Sequence, residues 1–87
     1  MIVRSQKRFD KQFKKLSKSI QTKVLEKIAL FAQHPSDVSL RNHALHGKLQ
    51  GLRAFSVTGD IRIIFEEFDG YTVVVFIDLG THNQIYK

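Results

Sequence analysis

Two side chains near the end of the sequence have types and spacing that suit acid–base and stacking chemistry. His82 follows the apolar stretch 71–79, and Tyr86 lies four residues further on. A histidine just after a buried strand is held by the sheet and still reaches solvent. Its imidazole can accept or release a proton near neutral pH, and a tyrosine ring can stack on a base. The alternative is a polar tail with one anchoring tyrosine.

Three charged residues flank a predicted turn between two strands. Arg53 opens the predicted strand 53–58, Arg62 lies in the strand 61–67, and Asp60 belongs to a two-residue turn between them. Side chains on neighbouring strands can converge, and two guanidinium groups aimed at one point form a clamp for phosphate. Asp60 either adds a carboxylate to this cluster or is a turn residue that pairs with Arg62.

Together these residues indicate metal-free cleavage of RNA. In that reaction the substrate's own 2′-hydroxyl is the nucleophile, so the protein supplies a base, an acid and positive charge. The sequence has no serine elbow, no phosphate-binding glycine loop and no paired catalytic carboxylates. His43 and His46 are spaced like metal ligands but have no acidic or cysteine partners nearby, so we predict no metal and no cofactor.

The elements that position these residues follow from the hydrophobic pattern. Residues 1–4 are β-prone, and apolar residues at helical spacing predict a first helix over 6–17. A second helix is predicted from a Ser19 cap to Pro35, with its buried stripe formed by Val24, Leu25, Ile28, Phe31 and Ala32.

The second half of the sequence predicts a β-meander. We expect a polar loop with a short strand near Lys48–Leu49, then strands 53–58, 61–67 and 71–79, the last one central because it is apolar on both faces. Asp69–Gly70 is a strong hairpin signal.

These elements indicate a single α+β domain over residues 1–87. An N-terminal strand and an antiparallel two-helix hairpin pack on one face of a small, mainly antiparallel twisted sheet. The other face is expected to be open, with Arg62 and Ile64 on it together with Val74, Phe76 and Asp78 or their alternates.

The positive charge is concentrated in the first third of the chain. Residues 1–33 hold nine lysines and arginines against two acidic residues, whereas the chain as a whole has a net charge of +6. Such a cluster suits a polyanion, or it is a solvated face that keeps the protein soluble. The sequence has no cysteine and no apolar run long enough for a membrane span, so we expect a cytoplasmic protein without membrane contact.

At this point the residues resemble a known family. The segment HALHGKLQGLRAFSVTGDIRIIFEE, the following strand and the ending GTHNQIY resemble RelE toxins of type II toxin–antitoxin systems, in particular the YafQ-like branch. The resemblance covers nearly the whole chain and implies the RelE-like fold. It also implies a bacterial, ribosome-dependent mRNA endonuclease that cuts mRNA in the A site of the 70S ribosome and leaves a 2′,3′-cyclic phosphate. The implied partners are a cognate antitoxin and, only through the antitoxin complex, operator DNA.

The resemblance also implies roles for individual residues. His82 corresponds to the histidine that protonates the leaving group, and His43 to a base or substrate-orienting group. Asp60 corresponds to a base or to a residue that holds a histidine, and Arg62 and Tyr86 complete the catalytic set. The implied RNA contacts are Arg53, His46, Lys48, Lys11, Lys14, Lys15 and Lys18.

Two departures leave the division of acid and base roles open. Ser56 stands where the YafQ-like branch often has a histidine, and Ile61 stands where it has a tryptophan. A ParE-like toxin that inhibits DNA gyrase by binding, and an inert nucleic-acid-binding module, are the alternatives on the same fold.

Overall fold

The computed structural model of the protein describes residues 1–86 and confirms the predicted α+β class. The chain forms an N-terminal strand, two helices and a β-meander, and ends in a third, short helix. The elements are β1 (Ile2–Ser5), α1 (Lys7–Lys15), α2 (Lys18–Gln33), β2 (His43–Ala44), β3 (Arg53–Ser56), β4 (Ile61–Phe68), β5 (Val73–Thr81) and α3 (His82–Ile85), with single 3₁₀ turns at Val38–Leu40 and Gly47–Leu49. None of the helices within residues 1–86 is long and apolar enough to cross a membrane.

The five strands form one sheet in the order β1-β5-β4-β3-β2. β1 runs parallel to β5, and the other three pairings are antiparallel. The register between β4 and β5 shifts by one residue in the middle of the pair. Ile64 pairs with Asp78, but the next residue, Phe65, pairs with Phe76, so Ile77 of β5 has no partner on β4. A bulge of this kind bends the strand and increases its twist.

The helical hairpin covers one face of the sheet with an aromatic core. Phe31 of α2 is fully buried, and its ring centroid lies 4.4 Å from that of Phe55 and 4.9 Å from that of Phe65. The ring of Phe9 on α1 lies 5.3 Å from that of Phe76. These contacts hold both helices against the central strands, which carry the candidate site at their ends.

The helix boundaries and the buried stripe of α2 differ in detail from the prediction. Ser17, not Ser19, caps α2, because its hydroxyl accepts the backbone N–H of Ile20. Leu25 is 57 % exposed, although it was predicted to be buried. The helix ends at Gln33, just ahead of Pro35 as predicted.

The second face of the sheet is covered, although the sequence analysis had predicted that it would be open. Val74 and Phe76 point towards the helices and belong to the main core. On the other face Leu45, Ala54 and Ile64 form a second, smaller core. Four partly buried residues pack against it, from the loop before β3, from the bulge and from α3: Leu49, Leu52, Ile77 and Ile85. The prediction failed because it treated the polar loop as lying away from the sheet.

Three local predictions also need correction. The short strand is His43–Ala44, and the segment around Lys48 is a 3₁₀ turn instead. Four residues, 57–60, connect β3 to β4, where a two-residue turn was predicted. β5 begins at Val73 and continues to Thr81, two residues beyond the predicted end. This extension places His82 directly at the end of the strand.

Candidate active site

His82 and Asp60 meet at the end of the β4–β5 ladder. Ile61 and Thr81 are cross-strand partners, Asp60 precedes Ile61, and His82 follows Thr81. Both side chains are exposed and line one cleft of about 300 Å³. A carboxylate and an imidazole on one cleft can act as base and acid on the same substrate.

The turn that carries Asp60 is fixed by a single hydroxyl. Oγ1 of Thr58 accepts the backbone N–H of Asp60 at 3.2 Å and that of Ile61 at 3.0 Å. The main chain of Val57 also donates to the carbonyl of Ile61. The main chain from which the Asp60 side chain projects is therefore fixed by these contacts.

A capping box fixes the start of α3 and with it His82. Oγ1 of Thr81 accepts the backbone N–H of Gln84, and Oε1 of Gln84 accepts the backbone N–H of Thr81 at 2.9 Å. Gly80 allows this arrangement, because a Cβ there would lie only 2.7 Å from Oε1 of Gln84. The spacing Thr81-x-x-Gln84 is the sequence signature of a capping box, so this helix could have been predicted.

Tyr86 packs on His82 across one turn of α3. The two ring centroids lie 4.4 Å apart, and the backbone N–H of Tyr86 donates to the carbonyl of His82 at 3.0 Å. A single helical turn therefore connects the two residues. Tyr86 is 37 % exposed, so its ring supports the imidazole and still presents a face to solvent.

Arg62 lies beside this cleft. It is the cross-strand partner of Ser56 on one side and of Gly80 on the other. It lines a second cleft of about 200 Å³, which shares Gly59 with the first. Its Nε is buried and has no hydrogen-bond partner among residues 1–86, and no ion pair to Asp60 is found there.

The predicted convergence of Arg53 with Arg62 is wrong. A two-residue turn would pair Arg62 with Val57 and place both arginines on one face, but the longer connection pairs Arg62 with Ser56. Because successive side chains of a strand point to opposite faces of the sheet, this shift of one residue puts Arg62 on the face opposite Arg53. Arg53 instead donates from Nε to the Asn42 side chain at 3.0 Å. Its role as an RNA contact stays a prediction.

The ring of His43 is held by its own segment. Its Nδ1 lies 2.8 Å from the carbonyl oxygen of Arg41, which can only accept, so Nδ1 is the donor in this hydrogen bond. His43 pairs with Ala54 on β3 and therefore lies two strands and two residues from Arg62. These steps separate the two Cα atoms by about 12 Å.

The remaining predicted RNA contacts are exposed and are not among the residues that line the cleft of His82. His46 and Lys48 are exposed around the second 3₁₀ turn. The helical hairpin carries the rest, and all of these side chains are exposed: Lys11, Lys14, Lys15 and Lys18. The hairpin packs on the aromatic core, whereas Arg62 projects from the other face, so these lysines form a separate basic surface.

The sequence reasoning missed Arg41, which lies next to Arg62 on the second cleft. Arg41 follows a 3₁₀ turn capped by Asp37, whose carboxylate accepts from both the backbone and the hydroxyl of Ser39. These two hydrogen bonds lower the pKa of Asp37 below its ordinary value of 3.8. The Asp37-x-Ser39 spacing, which is typical of such turns, was the signal available in the sequence. Within residues 1–86 no group of three or more His, Asp or Glu side chains is arranged to hold a metal ion.

Comparison with known proteins decides the family. The model of the YafQ family, described as a bacterial toxin of type II toxin–antitoxin systems, matches residues 1–87. The chain belongs to the YafQ family of type II toxins. No curated protein matches it by sequence.

Solved structures of YafQ and RelE toxins share the fold. YafQ from E. coli strain BL21(DE3) superposes with a TM-score of 0.82 at 20 % identity, over 98 % of this chain and 97 % of that one. The E. coli DinJ–YafQ complex gives 0.70 at 20 % identity over 98 % and 97 %. The RelE–RelB complex from Pyrococcus horikoshii OT3 gives 0.75 at 21 % identity over 95 % and 96 %. As a class, toxins of the YafQ and RelE type are ribonucleases.

Proposed function

We propose that this toxin cuts mRNA in the A site of the 70S ribosome, with the 2′-hydroxyl of the substrate as the nucleophile and no metal ion. The observation that carries the proposal is the cleft that Asp60 and His82 share at the end of β4 and β5. Arg62 lines the adjoining cleft and supplies positive charge beside it. Acid and base therefore share one cleft and the cation lines the cleft beside it, which together are the groups that this reaction needs.

The proposed reaction has one bond-forming and one bond-breaking event. Asp60 accepts the proton of the 2′-hydroxyl while the 2′-oxygen attacks the adjacent phosphorus. The bond from phosphorus to the 5′-oxygen breaks, and His82 gives its proton to that oxygen. The products are a 2′,3′-cyclic phosphate and a free 5′-hydroxyl. Arg62 stabilises the extra negative charge on the phosphate oxygens in the transition state.

Asp60 is a better candidate for the base than His43. Asp60 lies on the cleft of His82, whereas His43 lies about two strands away from Arg62. We expect Asp60→Asn to lower the maximal cleavage rate by about 10² or more and His43→Gln to lower it by less than about 10-fold. The opposite ranking of the two variants in single-turnover assays would transfer the role of base to His43.

The proposed function also implies partners for this toxin. E. coli YafQ and P. horikoshii RelE are each found in a complex, with DinJ and with RelB. These complexes support a cognate antitoxin as a partner of this toxin. We propose in addition that this antitoxin neutralises the toxin and links it to operator DNA. Action on the ribosome would place the toxin in the bacterial cytoplasm, and the exposed lysines of α1 would contact ribosomal RNA.

Expression in a bacterial host with and without the antitoxin tests the proposal. The wild-type toxin alone should stop growth and leave cuts in mRNA at A-site codons. His82→Ala should restore growth and still bind the antitoxin in a pull-down. His34→Ala, which changes another exposed histidine outside the cleft, is the matched control and should remain toxic. Intact mRNA together with double-strand DNA breaks would instead support a gyrase inhibitor.

A further inference from the structure

We propose that Arg41 forms a second phosphate subsite, which binds the phosphate next to the one that is cut, and that Arg62 lies between the two phosphates. The proposal rests on the function proposed above and adds the extent of the substrate. Arg41 and Arg62 line the same cleft of about 200 Å³, and this cleft joins that of His82 at Gly59. A strand whose scissile phosphate lies beside His82 therefore has its next phosphate within reach of the two arginines.

The lining of this cleft suits an anion. Beside the two guanidinium groups it contains three hydroxyl side chains and no carboxylate: Ser39, Ser56 and Thr58. Guanidinium groups match phosphate oxygens in geometry and remain charged, and the hydroxyls of Ser56 and Thr58 add neutral donors, whereas that of Ser39 already donates to Asp37. Nε of Arg62 is buried and donates to no group in residues 1–86, so the guanidinium group is not held by a protein acceptor at that nitrogen.

The backbone of Arg41 is held in an unusual conformation from both sides. Its φ of 50° and ψ of 43° lie in the left-handed region, which costs a non-glycine residue about 1 kcal/mol. Its N–H donates to the carbonyl of Val38, and its own carbonyl accepts from Nδ1 of His43. Strain that is maintained by the surrounding contacts is typical of functional positions. Here it fixes where the Arg41 side chain leaves the main chain.

A third cleft lies on the other side of Arg41. Arg41 also lines a third cleft of about 250 Å³ that contains Arg53 and Tyr71. The three clefts thus form a series in which neighbours share a residue, Gly59 and then Arg41.

The first test measures cleavage on programmed ribosomes as a function of toxin concentration and salt. Arg41→Asn removes the charge and keeps a residue type that tolerates a positive φ. We expect the half-saturating toxin concentration to rise about five-fold with little change in the maximal rate. The slope of log affinity against log salt should fall by about 0.7, the value for one phosphate contact on a single strand. Arg4→Gln loses the same charge at the opposite edge of the sheet and should change neither quantity.

The second test identifies the phosphate. An mRNA with a neutral methylphosphonate at one of the two phosphates that flank the cut should raise the half-saturating concentration for the wild-type toxin. For Arg41→Asn the same mRNA should cause no further loss, because the contact is already absent. Additive losses at both flanking phosphates, or an Arg41→Asn variant that behaves like Arg4→Gln, would overturn the subsite and leave the proposed function standing. A wild-type toxin that leaves mRNA intact would overturn both.

Discussion

Gly80 is the position where the smallest substitution should have the clearest effect on the site. It is buried beside Arg62, and a Cβ there would lie 2.7 Å from Oε1 and 3.3 Å from Cβ of Gln84. The first of these atoms is the acceptor of the hydrogen bond from Thr81 that closes the capping box. Gly80→Ala should therefore push the Gln84 side chain out of the box and release the start of α3.

The size of the expected effect follows from the free energy that a helix N-cap interaction contributes. Loss of a helix N-cap interaction costs about 1 kcal/mol, which is about a five-fold shift in a local equilibrium. α3 has only four residues, and so short a helix has little stability of its own. We therefore expect the equilibrium between His82 in its cleft position and displaced His82 to shift about five-fold towards the displaced form, and the single-turnover cleavage rate to fall by up to about five-fold. The free energy of unfolding of the whole protein should change by less than about 1 kcal/mol, because α3 contributes only Ile85, partly buried, to the second core.

Two measurements on the same variants check this reasoning. Hydrogen exchange at the Tyr86 amide, which donates to His82, should speed up in Gly80→Ala and in Gln84→Ala. The double variant should lose no more activity than either single variant, because both remove the same cap. A Gly80→Ala protein with a protected Tyr86 amide and the wild-type cleavage rate would refute the role of the capping box.

Further predictions concern stability and the turn before Arg41. Phe31→Ala empties a fully buried site among aromatic rings and should cost about 3–5 kcal/mol in urea unfolding, a large share of the total for a domain of this size. The pKa of the Asp37 carboxyl, measured by NMR, should lie below 3.8. The ionised carboxylate therefore stabilises its turn above that pH, and this stabilisation is lost as the pH falls through the lowered pKa. Ser39→Ala should move the pKa of Asp37 back up. Arg8→Ala removes the 2.9 Å ion pair to the buried carboxylate of Asp78 and should cost about 1 kcal/mol, with most of that cost absent when Asp78 is also replaced.

The helices and strands could be predicted because each carries a strong local signal. Pro35 and the 3.6-residue spacing of apolar side chains define α2, and Asp69–Gly70 marks the β4–β5 hairpin. The position of His82 just after β5, an interior strand of the sheet, followed from the same pattern. These signals depend only on residues close together in the chain.

The arrangement of the site depended on details that composition does not define. One residue more or less in the β3–β4 connection decides whether Arg53 and Arg62 share a face. The bulge at Ile77 and the folding of residues 43–52 over the sheet depend on contacts between distant segments. Arg41 reaches the cleft of Arg62 only because the Asp37 turn reverses the chain there.

The central claim is that the substrate's 2′-hydroxyl attacks the phosphate between Asp60 and His82. The most direct measurement uses ribosomes programmed with two mRNAs that differ in a single 2′-deoxynucleotide on the 5′ side of the cut. We expect the toxin to cut the all-ribose mRNA to a 2′,3′-cyclic phosphate and to leave the deoxy mRNA intact at that bond, and His82→Ala to cut neither at a comparable rate. Equal cleavage of the two mRNAs by the wild-type toxin would contradict the account.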